Sequence, residues 1–349
     1  MTTKHIAPVF AAVLFAAAAG NAQTVPEGEL LTFAATPAPP EGFMPAAATA
    51  FELEYYGFPP RPDEKSQPAL YAAWLRAMQA SRQRIEPKMV QTNRFHGPAH
   101  LTTSIHDATQ TSTNWSGVVD SAGATYFNNT GSFHIVVGEF VVPVARQAYG
   151  VCTGGWEYSS SWTGLDGWST SGVTANDVLQ AGVEFDAYCN GPTNLSTYYL
   201  WTEWYPKAEQ QIFNFPVSPG DDLYISVLDT DATHGTAYVV NMTINQYTTV
   251  SLQPKPGISL IGNSAEWITE RVTVNGSLSN LVNYTSEYFS NCFADTWGGL
   301  TAATAQSPVT FLPGNGLQLT MLDNNGNPIS FPTSLGNNAI WLQVEGSAK

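Results

Sequence analysis

From residue 113 onward, short runs rich in Val, Ile, Tyr, Phe and Thr alternate with clusters of Gly, Asn, Asp and Ser, at intervals of about ten residues. The runs fall at 133–142, 158–165, 178–188, 198–205, 223–228, 237–245 and 265–274. Within 178–186 the alternation is strict, with Leu179, Ala181, Val183 and Phe185 on one parity and Gln180, Gly182, Glu184 and Asp186 on the other. Successive strand side chains point to opposite faces, so one face joins a core and the other is polar. No segment after residue 110 carries the helical period over three turns. The pattern predicts an all-β domain, a two-sheet antiparallel β-sandwich or a barrel.

The preceding chain reads differently. Leu70, Tyr71, Trp74, Leu75 and Met78 recur at helical spacing and predict one short amphipathic helix within 68–84, with Arg76, Arg82 and Arg84 elsewhere on the turn. Residues 23–66 are rich in Ala, Pro and Glu. The prolines of 37–40 and Pro59-Pro60-Arg61-Pro62 argue there for irregular chain. At the N-terminus Lys4 and His5 precede an apolar run over 6–19, and Gly20-Asn21-Ala22 supplies small residues for cleavage. That run is too short to span a bilayer comfortably. A signal peptide over 1–22 is expected, and with it export to an extracellular or periplasmic space.

Charge sharpens the division. The chain has 349 residues and a formal charge of −15. Residues 111–349 hold 19 acids against five bases, whereas 23–110 hold nine acids and seven bases. The change places a boundary near residue 110; 23–110 is either an N-terminal subdomain or, as export and the charge boundary favour, a propeptide whose bases pair with and inhibit an acidic domain over 111–349. The acidic balance argues against nucleic acid or anionic membranes as partners. A monomer is expected.

Elimination narrows the chemistry. After residue 110 the histidines are His134 and His234, and there is no G-x-S-x-G elbow, H-E-x-x-H or C-x-x-C. Nothing in the sequence calls for a metal or organic cofactor. Cys152, Cys189 and Cys292 suit a disulfide plus one free thiol. Cys152 with Cys189 is one pairing, although strict alternation would aim them at opposite faces unless Gly154-Gly155 breaks the register. Carboxylates remain. Trp162 and Asp166 on the run before 178–186, and Trp201, Glu203 and Tyr205 on the run after it, would share a sheet face with Gln180 and Glu184 if these strands are neighbours. Such a face is either an ordinary polar exterior or a groove with a use; the large rings favour the groove.

At these residues the sequence resembles the glutamic peptidases, or eqolisins, which are secreted, acid-acting endopeptidases. The matching pieces run in order through Asn114-Trp115-Ser116-Gly117, Phe140-Val141-Val142-Pro143, Trp162-Thr163-Gly164-Leu165-Asp166-Gly167, Leu179-Gln180-Ala181-Gly182, Trp201-Thr202-Glu203-Trp204-Tyr205-Pro206 and Asn263-Ser264-Ala265-Glu266-Trp267-Ile268. Tyr56-Gly57-Phe58-Pro59-Pro60-Arg61-Pro62 resembles the prosegment of bacterial members. The resemblance implies a concanavalin-like jelly-roll sandwich with a catalytic Gln and Glu on adjacent strands, falling here on Gln180 and Glu266. It implies Trp162 as a cleft tryptophan, Asp166 and Glu203 as supporting acids, and polypeptide substrates. Glu184 stands where the family tends to have Asp.

The chemistry is consistent with that reading. A Glu with a reference pKa of about 4.3 is still partly ionised in moderate acid, where a His base is protonated. Glu266 would deprotonate the attacking water and then protonate the departing nitrogen, and Gln180 would donate to the tetrahedral oxyanion. A neutral amide avoids the repulsion of two carboxylates. Protonation of the acidic domain predicts release of 23–110 below about pH 5, with a new N-terminus near 100–113. Two other readings stay open. One is a glycoside hydrolase using Glu184-Phe185-Asp186, although Ala187, Tyr188 and Cys189 stand where a third acid is expected. The other is a non-catalytic, lectin-like carbohydrate-binding module.

Overall fold

The computed structural model describes residues 31, 36–102, 109–121, 124–146, 154–169, 172–297, 309–310, 316–336 and 339–344. The expected signal peptide and Cys152 lie outside the described residues. Cys189 is disulfide-bonded, and Cys292 is a free, buried thiol. Among the described residues no helix is long and apolar enough to cross a membrane.

The β-periodic region forms two packed layers. The front sheet runs, neighbour to neighbour and antiparallel throughout, through Gln210–Ile212, Thr193–Tyr205, Val178–Asn190, Ser160–Leu165, Ser264–Glu270, Trp115–Ser121 and Leu317–Leu322. The back sheet runs through Gln246–Leu252, His234–Asn241, Asp222–Asp231, Phe133–Val141, Glu287–Thr296 and Ala339–Val344, again antiparallel. Pro328–Gly336 pairs with both Ala339–Val344 and Leu317–Leu322, so hydrogen bonding continues around one edge of the sandwich. The parity read from the sequence is the one that folds. Leu179, Ala181, Val183 and Phe185 face Phe140, Ile225, Val227 and Val239 across the interior. Trp267 locks the layers, its indole N–H donating to the Val137 carbonyl at 2.8 Å. It fits over Gly138, where a Cβ would lie 3.0 Å from its ring.

The N-terminal region wraps both outer faces. The helix Pro68–Ala80 opens on Pro68, whose missing N–H costs nothing in a first turn. It buries Ala73, Trp74, Ala77 and Met78 against Ile135, Val137, Tyr224, Tyr238 and Val240 on the outside of the back sheet. A second helix, Ala50–Tyr55, adds to the single one expected; its local signal is the Thr49/Glu52 capping box. The proline-rich stretch is ordered by Arg61, which donates to the carbonyls of Ala46 and Ala48 and lies 5.4 Å over the Trp74 ring. Residues further on add short strands to the sheet edges. Gln83–Arg84 pairs in parallel with Gln246–Leu252 and Met89–Gln91 pairs with Gln210–Ile212, while Arg94–Phe95 joins a separate three-stranded sheet with Thr273–Val274 and Ser277–Leu278. The chain then crosses the outer face of the front sheet, held by Ala99 N–H on Gly167 O, His100 N–H on Asn114 Oδ1 and Thr113 N–H on His100 O. The polar face expected to line a wet groove is therefore covered by the molecule's own N-terminal segment.

Candidate active site

Strand register sets the site in three rows on the outer face of the front sheet. Gln180 lies opposite Glu203 on one side and Gly164 on the other, and Gly164 lies opposite Glu266 on its far side. One step along come Trp201, Gly182, Trp162 and Ile268; one further come Tyr199, Glu184, Ser160 and Glu270. Gln180 and Glu266 thus sit on alternate strands, not adjacent ones, with the strand Ser160–Leu165 between them. Two strand spacings put their Cα atoms roughly 9–10 Å apart. Gly164 makes that separation workable, because the space above it is left to the two long side chains. A Cβ there would come within 2.9 Å of the Gln180 Cβ and 3.0 Å of the Leu179 carbonyl. Gly182 does the same for the rings: its Cβ would meet Trp162 Cβ at 2.5 Å and the Trp201 ring at 2.9 Å.

Gln180 and Glu266 are fully buried. Gln180 Oε1 and both Glu266 carboxylate oxygens have no hydrogen-bond partner in the protein. Such atoms are costly to hold away from water, and the two residues flank the same glycine, Gly164. Burial, opposed by the neighbouring Ser264 hydroxyl and reinforced by the negative charges of Asp166, Asp177 and Asp120, pushes the Glu266 carboxyl well above its usual range. Asp166 acts one layer behind. It takes the left-handed conformation at φ 67°, which Asp tolerates better than most residues. From there it accepts the N–H groups of Ile261 and Asn263, each at 2.7 Å, fixing the chain that leads into the Glu266 strand. Burial raises it to about 6 against those hydrogen bonds. Trp162 packs edge-on against Trp115 at 5.0 Å and donates its indole N–H to Glu270 at 2.9 Å.

The other acids meet the covering segment. The Gln180 side-chain amide donates to the backbone carbonyl of His96. The His96 N–H points at the Glu203 carboxylate, 3.1 and 3.3 Å from its oxygens. The His96 ring stacks on Trp201 with centroids 3.8 Å apart and planes 6° from parallel. Its Nε2 is 2.9 Å from Glu209 and 3.5 Å from Glu184. Its Nδ1 is 3.3 Å from Glu270, near enough for charge pairing though not aligned as a hydrogen bond. Burial alone would lower the His96 pKa, but the hydrogen bond to Glu209, the close Glu270 carboxylate and the charge of Glu184 hold it well above its usual value. Arg94 pairs with Asp186 at 2.8 Å and Glu184 at 3.3 Å, and its guanidinium lies 4.8 Å from Tyr158 and 5.3 Å from Tyr199.

Every residue expected at the site shares this face or, in the case of Asp166, supports it. The residues missed are Arg94, His96, Glu209 and Glu270. Glu270 was readable as the second same-parity acid after Glu266; nothing local marked the others. His96, Glu184 and Glu209 bring ligand atoms within 4.8 Å of one another, a spacing that could hold a metal ion. Those atoms are occupied with each other and with Arg94, whose fixed positive charge beside them opposes a cation.

Residues 113–327 match the Peptidase A4 family. The chain belongs to that family, the glutamic peptidases. It is 30% identical over 233 residues to aspergillopepsin-2 of Aspergillus niger, covering 63% of this chain and 77% of that protein. It is 30% identical over 172 residues to scytalidopepsin B of Scytalidium lignicola, covering 48% of this chain and 62% of that protein. Scytalido-glutamic peptidase bound to a transition-state analogue inhibitor superposes with a TM-score of 0.51 at 23% identity, over 66% of this chain and 98% of that one, which shows the shared fold. The protein is accordingly a glutamic-type endopeptidase, acting on polypeptides.

Proposed function

We propose that peptide hydrolysis here is carried out by Glu266 and Gln180. The observation that carries this is their convergence across Gly164, with the Gln180 amide already donating to a peptide carbonyl, that of His96. Once the covering segment leaves and water reaches its carboxyl, Glu266 ionises and takes a proton from water as the water oxygen attacks the scissile carbonyl carbon. Gln180 donates its N–H to the oxyanion that forms. Glu266 then returns the proton to the amide nitrogen as the C–N bond breaks, leaving a carboxylic acid and an amine. With Glu266→Gln, activity on acid-denatured protein should fall by about three orders of magnitude, and with Gln180→Ala by about two to three. Full activity in either variant rejects the dyad. β-Glucan offered beside casein separates a peptidase from the carbohydrate-acting readings, which would place Glu184 and Asp186 rather than Gln180 at the reaction.

Residues 23–110 act as a propeptide in this reading, exported with a monomeric enzyme behind the 1–22 signal. Residues 94–102 fill the face a substrate would use, so the full chain is latent. Glu209 supplies the acid-labile part of the segment's grip. Although burial opposes this, the hydrogen bond to His96 and the charge of Arg94 hold the Glu209 pKa below its ordinary 4.5. A carboxyl lowered by a contact strengthens that contact above its free value and gives the gain up as pH falls through the lowered one. His96 is raised, so its share persists below its usual 6.5 and is lost only on the alkaline side. Burial raises Glu184, Asp186, Glu203 and Glu270 beneath the segment, and these oppose release in acid. Glu209→Gln should therefore weaken latency at pH 6 and flatten its dependence on acid. N-terminal sequencing after acidification should find a start near 100–113; an N-terminus unchanged at low pH counts against a zymogen.

A further inference from the structure

The segment over the site shows what the neighbouring pocket accepts. Strand alternation turns Arg94 and His96 to the same side and Phe95 away. The His96 carbonyl takes the Gln180 N–H, so the His96 side chain lies immediately on the acyl side of the carbonyl held at the dyad, and Arg94 lies two residues before it. Glu184, Asp186, Glu209 and Glu270, which surround these two cations, all belong to the peptidase domain, and all are buried. Glu184 Oε2 and Asp186 Oδ1 have no hydrogen-bond partner even with the segment in place, and Glu184 Oε1 is met only by the ion pairs with Arg94 and His96. Grouped buried carboxylates repel one another unless a cation joins them. Trp201 and Tyr199 supply flat faces on which an imidazolium or guanidinium packs.

We propose that Glu184, Asp186, Glu209 and Glu270, with Trp201, form a subsite that selects peptides carrying a cationic side chain on the acyl side of the scissile bond, with a second cation favoured two residues before it. The inference rests on Gln180 being the group that holds the scissile carbonyl. The propeptide occupies the subsite with Arg94 and His96 until it leaves, and substrate His, Lys or Arg takes their place.

The test uses the acid-activated full chain and synthetic octapeptides that differ only at the acyl-side residue, carrying Arg, His, Leu or Glu. Arg and His peptides should be cleaved with kcat/KM at least tenfold above Leu, and Glu209→Gln should lower kcat/KM for the cationic peptides by about tenfold, mostly through KM, while leaving the Leu peptide within a factor of two. Equal cleavage of all four, or an equal loss on all four in Glu209→Gln, overturns the subsite and leaves the peptidase reading standing. Failure to cleave any peptide or casein rejects the dyad instead. The subsite is then decided by binding to the full-length Arg94→Ala/His96→Ala double variant, in which neither cation of the segment occupies it. Quenching of tryptophan fluorescence by the peptide Asn-Arg-Phe-His, but not by Asn-Ala-Phe-Ala, supports it, and equal quenching or none overturns it.

Discussion

The N-terminal region covers two faces of the sandwich by opposite means. On the back sheet the helix Pro68–Ala80 lays Ala73, Trp74, Ala77 and Met78 on an apolar floor of Ile135, Val137, Tyr224, Tyr238 and Val240. On the front sheet Arg94 and His96 sit among Glu184, Asp186, Glu209 and Glu270, and the main chain is hydrogen-bonded to Gln180 and Glu203. Apolar burial scales with area and is indifferent to pH. The charge-paired cover depends on which of its carboxyls are ionised. One cover suits anchoring and the other suits release, so the two halves of one segment divide those tasks.

The division can be broken at the anchor first. Trp74 is 1% exposed, and Trp74→Ala should cost about 3–5 kcal/mol of full-chain stability, read from urea denaturation and the same at pH 5 and pH 7. A pH-dependent loss would show that the helix also works through charge. The next effect is on the whole fold. Burial first, with neighbouring carboxylates, lifts Asp177 and Asp229 to about 8, and burial against opposing hydrogen bonds takes Glu287 to about 7 and Asp166 to about 6. An acid whose folded pKa is raised adds stability that is complete below its unfolded value and is lost as pH rises through the folded one. The melting temperature should therefore be higher at pH 5 than at pH 8, by on the order of 10 °C. A melting temperature that rises toward pH 8 contradicts these burial effects.

Smaller effects test the front cover itself. His96→Ala removes the charge-assisted contacts to Glu209, Glu184 and Glu270 and the stack on Trp201, and should raise the activity of the unprocessed chain at pH 6 by at least about tenfold, with a lower melting temperature. Unchanged latency would leave the helix as the inhibitory element. Arg76 pairs with Glu139 at the edge of the helix but is 50% exposed, so Arg76→Ala should cost under about 1 kcal/mol and less in high salt.

Much of this was legible before any fold was known. The strict alternation at 179–186 gave both faces of its strand, because a period of two leaves no freedom about which residues share a side. The helix was readable from Trp74 and its neighbours at 3.6-residue spacing, though the one at Ala50–Tyr55 was hidden behind prolines and marked only by its cap. Asp166, expected to be a supporting acid, holds the Ile261 and Asn263 amides, a role that depends on chain about a hundred residues away. Arg94 and His96 carried no periodic signal, since a segment that lies across a sheet takes its pattern from the surface beneath it.

The sequence by itself determined the β class, the change in charge near residue 110, the polar parity around Gln180 and the Glu266 motif, because each rests on residues near one another in the chain. Only the tertiary structure decided that one strand stands between Gln180 and Glu266, with Gly164 leaving room above it. It alone decided that the acids of the polar face are matched by cations from the N-terminal segment. Strand order and the path of a covering segment are set by contacts between distant parts of the chain, where side chains meet only after the sheets have closed.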